Sequence, residues 1–181
     1  MDSKIIDDVS RVLVSEEEIA AAVDRIAGQI NRDYAGREIL LVGLLKGSFV
    51  FLSDLMRRIT VPTKVDFMIV SSYGAATVSS GKVNMKKDIS DSIEGKDVLI
   101  VEDIIDSGIT LSAVLEILKG RQPSSLKLCS LLSKPSRRVK EVNIDYLGME
   151  IPDEFVIGYG LDYDEKYRGL PYIGVINPDY I

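Results

Sequence analysis

Val98-Leu-Ile-Val-Glu-Asp-Ile-Ile-Asp-Ser-Gly-Ile-Thr-Leu111 is the stretch that decides how this chain is read. Val98 to Val101 is a short apolar run rich in β-branched residues, the mark of a strand buried on both faces. The run stops at two adjacent carboxylates, Glu102 and Asp103. Asp106, Ser107, Gly108 and Thr110 follow, and from Leu111 to Lys119 apolar residues recur at helical spacing. That predicts a strand, a tight loop and a helix start. Small and hydroxylated residues there let backbone N–H groups approach a phosphate, and the helix N-terminus favours the anion. Glu102 and Asp103 would repel a bare phosphate. They suit a ligand that also carries sugar hydroxyls or a hard cation. A buried strand capped by a solvated acidic turn is the plainer alternative, and three carboxylates around a Gly/Ser/Thr turn weigh against it.

The flanking chain alternates strand and helix. Upstream lie a strand at Val65 to Val70, a helix through Phe49, Leu52, Leu55, Met56 and Ile59, and a strand at Ile39 to Leu45. Before these, Ser15 and Glu18 have the spacing of a capping box. Ile19, Ala22, Val23, Ile26, Ala27 and Ile30 continue from it as one helical face. Ile5, Ile6 and Val9 to Val14 suggest an opening strand or arm. Downstream, Leu126 to Leu132 is a further strand. Such alternation predicts an α/β fold, a central, mostly parallel sheet flanked by helices, with ligands beyond the carboxyl ends of its strands. Lys46-Gly47, Ser72-Tyr73, Glu102 to Thr110 and Lys134 all follow predicted strands and should converge. Gly74 to Asp88 lacks a period and is dominated by Gly, Ala, Ser, Thr and Lys, which predicts a long loop of the lid type. From Val142 onward, short β-like pieces at 146–147, 155–157 and 173–176 predict an irregular antiparallel flap. The chain reads as a single domain over 1–181. Its core would span about 15–140, under a small hood formed by about 141–181 and the N-terminal arm.

Composition narrows the chemistry. The chain of 181 residues carries a net charge of −6, which argues against a broad nucleic-acid or anionic-membrane surface. It contains no His, so Ser-His-Asp and Cys-His mechanisms and His-ligated metals are excluded. The single Cys129 lies in an apolar run and gives no disulfide framework, consistent with a reducing cytoplasm. No apolar signal segment opens the chain and no stretch is long enough to span a bilayer, so a cytoplasmic protein is expected.

Two common nucleotide motifs are absent. There is no G-x-x-x-x-G-K-[ST], and Gly158-Tyr-Gly160 continues as Leu161-Asp162 rather than completing G-x-G-x-x-G. The loop from Glu102 to Thr110 instead resembles the phosphoribosyl pyrophosphate loop of the type I phosphoribosyltransferases. Its form Val-Glu-Asp-Ile-Ile-Asp-Ser-Gly-x-Thr is similar to that of the bacterial hypoxanthine-guanine branch. Leu44-Leu-Lys-Gly-Ser48, Ser72-Tyr73, Leu132-Ser-Lys-Pro135, Pro152-Asp-Glu-Phe-Val156, Gly158-Tyr-Gly-Leu-Asp162 and Tyr167-Arg168 extend the resemblance in order along most of the chain from about Ile39. Members often carry Lys where this chain has Ser71 or Ile109, and both positions are peripheral.

The resemblance implies transfer of phosphoribosyl from 5-phosphoribosyl 1-pyrophosphate to hypoxanthine or guanine, with Mg2+ as cofactor. It implies that Glu102 and Asp103 hold the ribose hydroxyls and magnesium, while Asp106, Ser107, Gly108, Ile109 and Thr110 cradle the 5′-phosphate. Asp106 would serve as general base. Lys46, Gly47 and Arg168 would take the pyrophosphate, with the Leu45–Lys46 peptide cis. Lys134 would donate to the purine oxo group and Phe155 would stack on the base. The Val156 backbone would meet the base edge, and Asp162 would lie at the purine and hold a second magnesium. Ser72 and Tyr73 would root a loop that closes over the site. A homodimer or homotetramer is expected. On local sequence alone Lys46 and Lys134 also read as surface lysines, Phe155-Val156 as a core strand, and Asp162 to Arg168 as a solvated charged loop. Competing functions are a regulator on the same fold that senses nucleotides, and a transferase that prefers xanthine.

Overall fold

Alternation of side chains turns unbroken apolar runs into a sheet with two covered faces. Along β2 (Ile39–Leu45), Ile39 and Leu41 enter one core while Leu40, Val42 and Leu44 enter another. Along β5 (Asp97–Ile105), Leu99 and Val101 join the first core and Val98 and Ile100 the second. The computed structural model describes residues 7–72 and 83–180. Its six-stranded sheet runs β4-β3-β2-β5-β6-β7, where β3 is Thr63–Ser72, β4 is Val83–Lys87, β6 is Ser125–Ser133 and β7 is Tyr146–Glu150. All neighbours are parallel except β3 and β4.

Helices α1 (Glu16–Asp33) and α2 (Phe49–Met56) contribute Ile19, Val23, Ile26, Phe51 and Leu55 to the first core. Helix α3 (Ile109–Lys119) supplies Leu111, Val114 and Leu118 to the second. The capping box forms as its spacing predicts: the Ser15 hydroxyl accepts from the Glu18 N–H, and the Glu18 carboxylate accepts from the Ser15 N–H. A separate three-stranded antiparallel sheet, β1-β9-β8, joins β1 (Val9–Val14) to β8 (Val156–Ile157) and β9 (Ile173–Ile176). No helix among the described residues is long and apolar enough to cross a membrane.

Four expectations change. β5 continues four residues past Val101, because Glu102, Ile104 and Ile105 keep pairing with Ser130, Leu132 and Ser133 of β6. β7 is not part of an antiparallel flap: it adds to β6 in parallel, with Cys129 opposite Tyr146 and Leu132 opposite Met149. The separate three-stranded sheet takes its C-terminal strands from residues after Glu150. Helix α2 stops at Met56, short of Ile59. The far end of the predicted 74–88 loop is β4, held against β3 with Val70 opposite Met85. Tyr73 and most of that loop lie outside the described residues, so its expected closure does too.

Asp66 clasps β4 to the sheet. It accepts from the Phe67 and Ser90 N–H groups and from the Lys87 ammonium at 3.0 Å. Burial pushes its pKa up, but the hydrogen bonds outweigh that and hold it down at about 2. A depressed carboxylate pKa contributes stability that is full above the unfolded value near 3.8 and is lost as pH falls through about 2. Asp66→Asn is expected to cost about 2 kcal/mol at pH 7 in urea unfolding, with the gap to wild type closing between pH 4 and 2.

Candidate active site

The carboxyl ends of β2, β5 and β6 gather the predicted residues. Glu102 and Asp103 sit inside β5, so the pleat sends their side chains to opposite faces of the sheet. Oε2 of Glu102 is buried without a hydrogen-bond partner. Burial first, and the neighbouring Asp103 charge second, raise the Glu102 pKa well above the carboxylate range. Asp103 accepts the Ile104 N–H at 2.9 Å. Burial raises it to about 6, against the lowering effect of backbone hydrogen bonds and the Arg168 charge.

Asp103 meets the turn that follows β2. A methyl group on Gly47 would fall 1.7 Å from Asp103 Oδ2, so only glycine lets the two strand ends touch. The Leu45–Lys46 peptide is cis. Across the turn lies Gly160, at φ +101°, where a side chain would strike the Gly47 carbonyl at 2.1 Å.

On the opposite face, β5 passes into α3 through Gly108 at φ +75°. The Ile109 N–H points to Ser107 Oγ at 3.4 Å. Glu102, Asp106, Ser107, Gly108 and Thr110 line a cavity of about 140 Å³ at the helix start. This loop is braced from outside. The Ser107 carbonyl accepts the Val139 and Lys140 N–H groups, and Arg138 donates to the Asp106 carbonyl at 3.0 Å and to Ser133 Oγ at 2.6 Å. A cradle of backbone amides beneath a carboxylate can take a phosphorylated sugar.

Lys134 adjoins the cradle. It is 5 % exposed, and its ammonium forms an ion pair with Asp106 Oδ1 at 3.6 Å. That oxygen is buried and has no hydrogen bond. Arg137 pairs with Asp153 at 3.0 Å, and the Ile151 N–H donates to the Ser133 carbonyl, which ties the Lys134 turn to the segment entering Phe155. The Phe155 ring is 47 % exposed and meets the Tyr163 ring edge to face, centroids 5.6 Å apart. Val156 is buried opposite Val175.

The loop after Gly160 carries three interlocked charges, joined by Lys46 from the turn after β2. Arg168 donates to the Gly160 carbonyl at 2.7 Å and pairs with Asp162 Oδ1 at 2.9 Å. Asp162 Oδ2 accepts the Glu165 N–H at 2.9 Å, so both of its oxygens are engaged. Glu165 Oε2 reaches Lys46 at 2.9 Å and Arg168 at 3.3 Å. The Lys46 hydrogen bond first, then that of Arg168, lowers the Glu165 pKa. Ser72 ends β3 opposite Val83.

The structure thus brings together Lys46, Gly47, Asp103, Asp162 and Arg168 on one side, and Glu102, Asp106 to Thr110 and Lys134 on the other. Sequence reasoning missed Glu165, Arg138, Gly160 and Tyr163. Glu165 had only a spacing of three from Arg168 to mark it, and nothing in the sequence separates Arg138 from its neighbour Arg137. No three acidic or Cys side chains among the described residues converge on one point that would hold a metal unaided.

Two outcomes are expected. Asp103→Asn should raise the thermal midpoint of the ligand-free protein at pH 7 by removing a charge that burial disfavours. About 2–3 kcal/mol is at stake, and the difference should vanish below about pH 4, where the carboxyl is protonated folded or unfolded. Gly47→Ala should push the Asp103 carboxylate aside. Its activity in the transfer assay described below should fall roughly 100-fold while circular dichroism is unchanged.

Residues 13–164 match the family model described as the phosphoribosyl transferase domain. Hypoxanthine-guanine phosphoribosyltransferase from Bacillus subtilis (strain 168) is 49 % identical over 171 residues, covering 94 % of this chain and 95 % of that protein. The bifunctional protein TilS/HprT of Listeria monocytogenes is 49 % identical over 172 residues, and this chain spans only 26 % of its length. A crystal structure of hypoxanthine phosphoribosyltransferase from Staphylococcus aureus superposes with a TM-score of 0.96 at 47 % identity, covering 99 % of this chain and 98 % of that one.

Proposed function

This chain belongs to the phosphoribosyl transferase family, and on that footing we propose that it transfers phosphoribosyl from 5-phosphoribosyl 1-pyrophosphate to hypoxanthine or guanine. The products are the nucleoside monophosphate and pyrophosphate. The observation that carries this reading is the buried Lys134 ammonium, paired with the half-exposed Asp106 beside the amide cradle at the start of α3. A buried ammonium next to a phosphate loop suits a base that presents a carbonyl oxygen. Adenine would present an amino donor there and leave the ammonium without an acceptor.

In the reaction, the bond from the anomeric carbon to the pyrophosphate oxygen breaks as a bond to the purine imidazole nitrogen forms. The proton on that nitrogen passes to Asp106, whose buried Oδ1 lacks a hydrogen bond of its own. Ser107, Gly108, Ile109 and Thr110 hold the 5′-phosphate. Glu102 and Asp103 accept the ribose hydroxyls. Lys46, the Gly47 amide and Arg168 bear the charge that develops on the leaving pyrophosphate. Phe155 offers its exposed face to the purine ring, and the Val156 backbone lies at its edge.

Magnesium fits the acidic end of β5. Glu102 presents a buried oxygen without a partner, and burial raises the pKa of both carboxyls. A hard dication relieves both costs, and magnesium characteristically binds through one or two carboxylates plus substrate oxygens. Glu102 and Asp103, which face opposite sides of β5, would each contribute to holding magnesium and the substrate hydroxyls, and Asp162 would hold a second ion on releasing Arg168. Bound there, magnesium would neutralise charge on the departing pyrophosphate. A homodimer or homotetramer also belongs to the reading, supported by Phe49 and Met56, which are 44 % and 42 % exposed and one heptad apart on α2.

Turnover with 5-phosphoribosyl 1-pyrophosphate and magnesium, compared across hypoxanthine, guanine, xanthine and adenine, tests the proposal. The oxopurines hypoxanthine and guanine should react and adenine should not. Asp106→Asn should lower kcat by roughly 10²–10⁴-fold. Tight binding of the sugar pyrophosphate without turnover of any purine would overturn the enzyme reading.

A further inference from the structure

Glu165 has no part in the reaction above, yet it holds both cations assigned to the pyrophosphate. One oxygen, Oε2, lies 2.9 Å from Lys46 Nζ and 3.3 Å from Arg168 Nη2. An anionic oxygen shared by an ammonium and a guanidinium is the contact a pyrophosphate oxygen would make with the same pair. The backbone presents Glu165 to this position. Asp164, Glu165 and Tyr167 have φ of +50°, +61° and +73°, left-handed values that side-chain-bearing residues rarely adopt. The Glu165 N–H is pinned to Asp162 Oδ2.

Charge counting gives the contact a consequence. Lys46 and Arg168 supply two positive charges, and Asp162 and Glu165 supply two negative ones. With Asp103 also beside Gly47 and within reach of the Arg168 charge, the ligand-free subsite has no net positive charge to offer a polyanion, and an incoming pyrophosphate group meets Glu165 as a like charge. Lys46 and Glu165 are both about two-thirds exposed, at 63 % and 64 %. Pairs so exposed are weak and are readily displaced.

We propose that Glu165 is a displaceable counter-anion for the pyrophosphate subsite. It keeps the flexible Lys46 side chain and Arg168 in place when the subsite is empty, and it yields to the sugar pyrophosphate. As pyrophosphate departs, it recaptures both cations and so speeds product release. It is a positioning residue, acting through Lys46 and Arg168, and the inference rests on the assignment of those two cations to pyrophosphate.

The test is calorimetric binding of inorganic pyrophosphate with magnesium to the full chain, for wild type, Glu165→Gln and Glu165→Ala. The KM for hypoxanthine is measured alongside. At low salt both variants should bind pyrophosphate about three- to tenfold more tightly. The advantage should collapse at about 0.5 M salt, where exposed charges are screened. The purine KM should stay within about twofold, a split that general loosening of the loop would not produce. Unchanged or weaker pyrophosphate binding, or an equal shift in the purine KM, would overturn the inference. Lys46→Gln and Arg168→Gln separate the two readings. If neither weakens pyrophosphate binding, the assignment of those cations fails. If both do while the Glu165 variants gain nothing, only the counter-anion role fails.

Discussion

Two carboxyls carried inside a strand of the central sheet set the terms for everything at this end of the molecule. Glu102 and Asp103 continue the hydrogen-bonded run of β5, and burial raises the pKa of both. A stable apolar core would not choose such residues there. They hold a standing demand for hydroxyl donors or a hard cation, and the surrounding structure is shaped to let one arrive. Gly47 leaves Asp103 room, Gly108 turns the chain so that α3 opens onto Glu102, and Arg138 braces the loop between them. The cost in folding energy and the affinity for ligand come from the same desolvation.

The same economy appears on the two flanks. Lys134 is buried, and its paired carboxylate, Asp106, has an oxygen without a hydrogen bond. Lys46 is exposed and Arg168 largely covered, and both take carboxylates of the loop after Gly160 as partners. The surroundings of Lys134 are thus covered, whereas those of Lys46 and Glu165 are exposed and exchangeable. That contrast fits a reaction in which a small neutral ring must be identified and a highly charged group must leave.

Much of this was legible before any coordinates. Continuous β-branched runs gave β2, β5 and β6, because burial on both faces needs apolar residues at every position, and the capping box placed the start of α1. The turn from Asp106 into α3 was legible because few other structures require carboxylates, glycine and hydroxyls together after a strand. Other features depended on partners distant in sequence. β5 runs on through Glu102 and Ile105 because β6 pairs with it, and local composition there argues for a loop. β7 joins β6 through the match of Cys129 and Leu132 to Tyr146 and Met149, which the breaks around it concealed. Glu165 could not be singled out, since its meaning lies in Lys46, 119 residues away.

The central claim is that the carboxyls of Glu102 and Asp103 are held ready for the sugar pyrophosphate and its metal. The most direct measurement is the thermal midpoint of wild type and of Glu102→Gln/Asp103→Asn at pH 7. Each is recorded alone, with magnesium, and with magnesium and 5-phosphoribosyl 1-pyrophosphate together. Without ligand the double variant should melt above wild type, and with both ligands present the order should reverse, because only wild type gains from binding. A double variant that melts no higher than wild type when empty, or that is stabilised as much by the ligands, would contradict the account.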